Sequence, residues 1–129
     1  MEYNCAYNPN LNIIEVSTYG TANMTALLAM QDSIFGLCLQ KKSANILVDH
    51  SATNASLLTM DDVSAISCST VSLKDTLRMR KCANVVAEDL QFGFVRAWEL
   101  MIEFIGFTDI ETRIFKNRDE AVEWLKAGF

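Results

Sequence analysis

The segment Ala44-Asn45-Ile46-Leu47-Val48-Asp49 decides the fold class, because it is a short apolar run between the charged pair Lys41-Lys42 and a stretch of small polar residues. Such runs are typical of strands in the middle of a sheet that is covered on both faces. The segment Cys82-Ala83-Asn84-Val85-Val86-Ala87 has the same character. Two buried central strands are therefore predicted.

Strands with one exposed face are predicted at both ends of the chain. Apolar and polar residues alternate over residues 3–7 and again over residues 14–18, and Asn8-Pro9-Asn10 separates the two segments. This pattern predicts an N-terminal β-hairpin. Residues 110–114 alternate in the same way, which predicts a half-exposed strand near the C-terminus.

Helical spacing of apolar residues recurs in four segments, each with a residue suited to cap its start. The predicted caps are Thr21 or Asn23 before a helix from Met24 to about Gln40, Thr59 before a short helix through Val63 and Ile66, Asp89 before the clearest helix, and Asn117 before the last one. Such side chains accept hydrogen bonds from the first backbone N–H groups of a helix. Thr59-Met60-Asp61-Asp62 also has the pattern of a capping box. Gly106 and Gly128 are predicted to end the last two helices.

The helix after Asp89 has the strongest amphipathic pattern. Its predicted inward face consists of Phe94, Ala97, Trp98, Met101 and Ile105. Arg96, Glu99 and Glu103 lie off this face, and Arg96 is expected to pair with Glu99 at the exposed surface.

The predicted element order is ββαβαβαβα, with about four helices. Strands that are separated by helices cannot be joined by hairpins, so the later strands should be parallel and only the N-terminal β-hairpin antiparallel. The sequence therefore predicts an α/β fold with a mixed, largely parallel sheet. With 129 residues and one proline, the chain is expected to form a single domain over residues 1–129.

Composition makes several functions unfavourable. The net charge of -5 repels phosphate backbones, so no nucleic-acid partner is predicted. The five glycines are isolated, so there is no Gly-rich phosphate loop and no cofactor is predicted. The cysteines are far apart, contain no C-x-x-C pair and are expected in buried strands or helices, so no metal site is predicted. They are Cys5, Cys38, Cys68 and Cys82.

The N-terminal residues Met1-Glu2-Tyr3-Asn4 do not resemble a signal peptide, and no apolar run is long enough to cross a bilayer. The expected location is therefore the reducing cytoplasm, with free thiols and no membrane insertion.

The C-terminal third resembles a known family. Gly93-Phe94-Val95-Arg96-Ala97-Trp98-Glu99 and the segment from Phe115 to Leu125 are similar to the SpoIIAA-like branch of the STAS family, whose members commonly end in F-x-x-x-x-E-A-x-x-W-L. The order of elements resembles the STAS fold over nearly the whole chain. The resemblance implies a non-catalytic regulatory or protein-interaction module. It also leaves open an apolar or lipid ligand, because related proteins have been compared with CRAL-TRIO domains.

The chain departs from the family at the phosphorylation site of the anti-sigma-factor antagonists. Those proteins carry an Asp-Ser-Ser-Gly sequence at the start of the helix after the third strand. Here Asp61 matches the leading aspartate, but Asp62 and Val63 replace the serines. We therefore predict no phosphorylation switch between Leu57 and Ser64.

Three groups of residues are candidates for ligand or partner contacts. His50 and Ser51 are expected in a loop after a strand end, where open α/β sheets bind ligands, although His50 is equally open to a purely structural role in that loop. Thr59, Asp61 and Asp62 begin a helix, where capping and the helix dipole are the favoured explanation. Arg78, Arg80 and Lys81, with Lys74, form a basic strip that is either a solvated loop and strand edge or a docking patch. His50 is the only histidine, and consecutive residues at a strand end diverge, so no catalytic site is predicted.

Two functions remain open. The first is a non-catalytic STAS-like module that binds a protein, and the second is a carrier or sensor for a small apolar ligand in a pocket of roughly 300 Å³ or more. Residues that either line an apolar cleft or simply pack in the core are Met24, Leu28, Phe35, Phe92 and Phe107. A homodimer is also expected, because self-association often covers surplus apolar surface.

Overall fold

The sheet has five strands in the order β1-β2-β3-β4-β5, and the structure, a computed structural model, describes residues 1–127. Within these residues the elements are β1 Glu2–Asn8, β2 Ile13–Thr21, α1 Met24–Gln40, β3 Asn45–Asn54, α2 Met60–Ser72, α3 Lys74–Leu77, β4 Lys81–Val85, α4 Asp89–Ile105, β5 Glu111–Phe115 and α5 Arg118–Lys126. β1 pairs antiparallel with β2, and the other three pairings are parallel. The predicted α/β class, mixed sheet and N-terminal hairpin are confirmed.

Two elements differ from the prediction in extent. α2 runs for 13 residues, and the single turn α3 follows it as an additional helix. β3 continues through the segment predicted as a loop and ends at Asn54. Small polar residues resemble a loop in sequence, but here they pair with the end of β2, where Tyr19 is opposite Ala52 and Gly20 is opposite Thr53.

Alternation along the strands builds two cores on opposite faces of the sheet. Ile14, Ile46 and Cys82 belong to the larger core, which α1, α3 and α4 cover, whereas their neighbours Ile13, Leu47 and Ala83 belong to a smaller core under α5. Each fully buried aliphatic side chain contributes about 1.5–3 kcal/mol. The two-sided burial explains why the central strands are continuous apolar runs.

The helix caps agree with the prediction at three of four starts. Asn23 accepts from Ala26 N, Asn117 accepts from Glu120 N, and Thr59 forms a capping box with Asp62. α4 is the exception, because its N-cap is Glu88 and Gln91 Oε1 accepts from Glu88 N at 3.1 Å. Gly106 ends α4 with φ 114°, as predicted. The prediction for Gly128 lies outside the described residues.

The inward face of α4 is rotated from the predicted one. The buried residues are Gln91, Val95, Glu99 and Ile102, while Ile105 is exposed. Arg96 does pair with Glu99 at 3.1 Å, but the Glu99 side chain is buried, so the pair is not fully at the surface. The prediction placed the inward face wrongly because it took the most apolar face of the helix as the buried one, whereas Gln91 and Glu99 are polar and buried.

Candidate functional site

A cavity of about 150 Å³ lies between the larger-core face of the sheet and helices α1, α2 and α4. Its accessible lining is almost entirely apolar. The cavity exists because α2 packs mainly on α1 and α4 rather than on the strands. Representative lining residues are Met30 of α1, Val48 of β3, Val63 of α2 and Val95 of α4.

The residues that sequence suggested for an apolar cleft do not line this cavity. Leu27 and Met30 take the places proposed for Met24 and Leu28 on α1, and Phe94 takes that of Phe92 on α4. Phe35 and Phe107 also lie outside the lining. The apolar cleft suggested from sequence is therefore formed by other residues than the ones proposed for it.

A bulge in β3 shapes one part of the cavity wall. Ser17 is opposite Asp49 and Tyr19 is opposite Ala52, so Thr18 alone faces two residues of β3. A bulge changes which side chains point to a given face. As a result His50 and Thr53, three residues apart, both approach the Thr18 hydroxyl: His50 Nδ1 lies 3.0 Å from Thr18 Oγ1, and Thr53 Oγ1 forms a short hydrogen bond with it.

His50 is therefore part of the cavity wall and not of a loop. Burial lowers the pKa of its imidazole to about 4, and the neighbouring Asp49 carboxylate opposes this only in part. The ring is uncharged at neutral pH. Asp49 belongs to the other face of the sheet, where its carboxylate accepts from Ser51 N at 2.9 Å, and Ser51 is exposed. His50 and Ser51, predicted together, thus do not converge on one site.

Gln91 holds the start of α4 against the end of β3. Its Nε2 donates to the Thr53 carbonyl at 2.7 Å, and its Oε1 accepts from Ala87 N at 2.7 Å. The side chain is 4% exposed and lines the cavity. These bonds fix the position of α4 over the carboxyl ends of the parallel strands, where α/β sheets bind ligands.

The three helices over the cavity meet at Thr70. Its hydroxyl donates to the Ile66 carbonyl at 2.9 Å and accepts from Gln31 Nε2 at 2.8 Å and from Trp98 Nε1 at 3.0 Å. These contacts join α1, α2 and α4 through one oxygen atom. Gln31 Oε1 is buried and has no hydrogen-bond partner among the described residues.

Asn84 is the other polar group in the wall that has little to bond to. It is 4% exposed, and its amide donates to Cys82 Sγ at 3.8 Å, a long and weak contact. Burial raises the pKa of the Cys82 thiol to about 12, and Glu99 adds to this effect. The thiol therefore stays protonated and offers no nucleophile.

Thr59, Asp61 and Asp62 do not reach the cavity. The Thr59 hydroxyl accepts from Asp62 N at 3.2 Å, and Asp62 Oδ2 accepts from Thr59 N at 3.0 Å. Asp61 is exposed in the first turn of α2. These residues stabilise the start of α2, which agrees with the capping interpretation.

The prediction of a solvated basic strip is wrong for two of its members. Arg80 is 4% exposed and Lys81 is 3% exposed, whereas Arg78 and Lys74 remain on the surface. Arg80 donates to the Cys38, Lys41 and Thr76 carbonyls and, by a short bond, to Ala44 O. Lys81 Nζ donates to the Trp124 carbonyl at 2.9 Å and lies over its ring. Both cations bond to buried carbonyls, so they form no docking patch.

Sequence reasoning missed most of the polar residues around the cavity. They are Thr18, Gln31, Thr53, Thr70, Asn84 and Gln91. The available signal was an uncharged polar residue on an otherwise apolar face, as with Asn84 inside a buried strand. Buried polar groups are uncommon enough to be informative.

The similarity of this chain to known proteins lies in its fold. No family model and no curated protein matches the sequence. A crystal structure of an uncharacterised protein of the DUF3478 family from Shewanella loihica PV-4, described as having a SpoIIAA-like fold, is similar, with a TM-score of 0.61 and 14% sequence identity. The similarity covers 95% of this chain and 93% of that one. The chain has a SpoIIAA-like fold. This confirms the fold that the resemblance implied.

Among residues 1–127, no helix combines the length and apolar character needed to cross a bilayer. In the same part of the chain, no three His, Cys, Asp or Glu side chains are grouped so that they would hold a metal ion.

Proposed function

We propose that this SpoIIAA-like domain is a non-catalytic sensor or carrier that binds a small apolar molecule in the cavity under α1, α2 and α4. The observation that carries the proposal is the almost wholly apolar cavity of about 150 Å³. Close packing normally leaves few voids larger than a water molecule in a protein interior. An apolar pocket of this size is therefore the favoured place for a ligand in this domain.

The volume limits the size of the ligand. A cavity of roughly 150 Å³ lined by aliphatic and aromatic side chains stays dry and accepts a molecule such as benzene. Drug-sized ligands require about 300 Å³ or more, so the ligand proposed here is smaller than the sequence suggested. Transfer of apolar groups into such a cavity contributes about 0.8 kcal/mol for each buried methylene. The favoured ligand class is a ring-sized apolar compound.

The polar residues of the wall support binding rather than catalysis. His50 is neutral and its Nδ1 is engaged with the Thr18 hydroxyl, whereas the Asp49 carboxylate accepts from Ser51 N. The Cys82 thiol is protonated. The proposed role is therefore recognition, with the bound state favouring one packing of the helices over the cavity.

Toluene provides a direct test by thermal denaturation. A ligand that binds only the folded state stabilises it, and at ten times its Kd we expect the Tm to rise by about 5 °C. Val95→Phe should abolish this rise by filling the cavity. Val71→Phe is the matched control, because Val71 is half-buried on α2 outside the lining. An unchanged Tm in the wild type, or an equal rise in Val95→Phe, would refute the proposal.

A protein partner is the second candidate, supported by an exposed apolar surface on α4. Leu100 is 49% exposed and Phe104 is 87% exposed, and they lie one helical turn apart. Exposed apolar residues that are contiguous mark interaction sites more often than single ones do. Phe104→Ser should then abolish capture of a specific partner, while leaving toluene binding intact. We propose that this partner is either a regulatory protein or a second copy of the chain, and light scattering distinguishes a homodimer from a monomer.

We further propose that the protein acts in the cytoplasm. The four cysteines are free, and two of them, Cys38 and Cys82, are buried in the larger core. A reducing compartment keeps such thiols unpaired. Contrary to the expectation from sequence, Cys68 is exposed, because it lies on the outward side of α2.

A further inference from the structure

One buried acceptor of the cavity wall, Gln31 Oε1, has no hydrogen-bond partner among the described residues, and a second polar side chain, Asn84, makes only a weak contact. Together they indicate the chemistry of the ligand. Asn84 is 4% exposed and has only the 3.8 Å contact from its amide to Cys82 Sγ. Buried polar groups are nearly always paired, and each exception calls for an explanation.

The orientation of the Gln31 amide is fixed by the network around Thr70. The Thr70 hydroxyl uses its one hydrogen in the bond to the Ile66 carbonyl, so it can only accept from Gln31 and Trp98. Gln31 must therefore turn its NH₂ group toward Thr70. Gln31 Nε2 also donates to the Ile66 carbonyl at 3.4 Å, and because a carbonyl can only accept, the rotated amide would place two acceptor oxygens against each other. The unpaired atom is therefore an acceptor and not a donor.

Asn84 presents the same kind of group from the sheet side. Val48 and Asn84 are paired across β3 and β4, and both line the cavity. The Asn84 amide nitrogen faces Cys82 Sγ at 3.8 Å, and its Oδ1 accepts no hydrogen bond from the described residues. Both walls of an otherwise apolar cavity thus offer acceptors, one from α1 and one from β4.

We infer that the ligand is a ring-sized apolar molecule that carries one O–H or N–H donor, such as a phenol, a small alcohol or an indole. This inference rests on the proposed function, because it adds a polar group to the apolar ligand proposed there. The donor would pair with Gln31 Oε1 or Asn84 Oδ1. A purely apolar ligand would leave both acceptors unpaired. If the acceptor is removed from the wall, a ligand that carries a donor should bind about tenfold more weakly or worse, because its donor is then buried without a partner.

Phenol and toluene test the inference, because they share a ring and differ in a hydroxyl against a methyl group. Their affinities are measured by calorimetric titration or by NMR. Toluene is the more apolar of the two, so a cavity without acceptors should prefer it. We expect the wild type to bind phenol at least as tightly as toluene. We expect Gln31→Met or Asn84→Leu to shift the affinity ratio about tenfold toward toluene.

Gln40→Met is the matched control, since Gln40 is exposed at the end of the same helix and lies outside the lining. Its affinity ratio should equal that of the wild type. Far-UV circular dichroism establishes that each variant is folded. If one cavity variant fails to fold, the wild-type preference and the other variant still decide the question.

The outcomes separate the inference from the proposed function. If toluene binds more tightly than phenol and the ratio is the same in both cavity variants, the inference is overturned while the apolar cavity still binds a ligand. A buried water on Gln31 Oε1 would give that result. If neither probe binds, the inference and the proposed function are both overturned.

Discussion

The guanidinium group of Arg80 lies at the C-terminal end of α1, where helical carbonyls have no partners within the helix. It donates to carbonyls of Cys38, Lys41 and Ala44 and, from α3, of Thr76. His50 is a second titratable side chain in this region, and it forms part of the cavity wall. At the scale of single residues, buried polar groups therefore set the stability of the structure around the cavity.

Arg80→Met should destabilise the fold strongly. The substitution removes several charge-assisted hydrogen bonds and leaves buried carbonyls unpaired, so we expect a loss of about 3 kcal/mol in the free energy of unfolding. Urea denaturation measures this quantity. Arg78→Met is the control, because Arg78 is exposed, and it should change stability by less than about 0.5 kcal/mol. Equal effects of the two substitutions would contradict the structural role given to Arg80.

His50 should make the folded state sensitive to acid. Its pKa is near the ordinary 6.5 when unfolded and about 4 when folded, so the unfolded state binds a proton first as the pH falls. The contribution of the uncharged His50 to the free energy of unfolding is fully present above about pH 6.5. It is lost as the pH falls from 6.5 to about 4, and the whole loss is about 3 kcal/mol. His50→Gln removes this contribution. The difference in stability between wild type and variant should therefore shrink from pH 7.5 to pH 4.5, and a constant difference would refute the assignment.

At the scale of elements, α2 is the helix that makes the cavity possible, since it packs mainly on α1 and α4 and leaves space above the strands. Its start is fixed by the reciprocal bonds of Thr59 and Asp62. Its middle is tied to both neighbours through Thr70. Movement of α2 is thus the change in packing that a ligand would affect most directly.

Thr59→Ala should weaken the start of α2. Loss of a capping side chain costs about 1 kcal/mol, and Asp62 then loses the reciprocal partner that holds it. Hydrogen exchange of the first-turn amides of α2 should accelerate, with a matching decrease in stability. Thr25→Ala in the first turn of α1 is the control, because Thr25 is exposed and is not the N-cap of its helix. An equal loss of stability in Thr25→Ala would contradict the capping role of Thr59.

The segment from Leu57 to Ser64 should carry no regulatory phosphate. Asp61 and Asp62 already place two negative charges at the start of α2, where a phosphoserine would add about -1.5 to -2. The Thr59 hydroxyl is occupied in capping, and Ser64 lies within the helix. Phosphopeptide mapping from native cells checks this prediction. Stoichiometric phosphate on Thr59 or Ser64 would show that a switch survives.

At the scale of the whole molecule, periodicity predicted the fold well because alternation and helical spacing report which faces are apolar. The central strands 44–49 and 82–87 and the caps Asn23, Thr59 and Asn117 were readable for this reason. The cavity was not, since its walls combine residues from α1, β3, α2, β4 and α4. Arg80, Gln91 and Glu99 could not be assigned either, because a sequence does not indicate which buried carbonyls and amides need partners.

A crystal structure of the protein under xenon pressure tests the central claim most directly, because xenon enters dry apolar cavities without any polar contact. We expect one strong xenon peak between Met30, Val48, Val63 and Val95, with no ordered water in its place. Val95→Phe should remove the peak. A cavity filled by ordered waters, or closed by movement of α2 toward the strands, would contradict the claim.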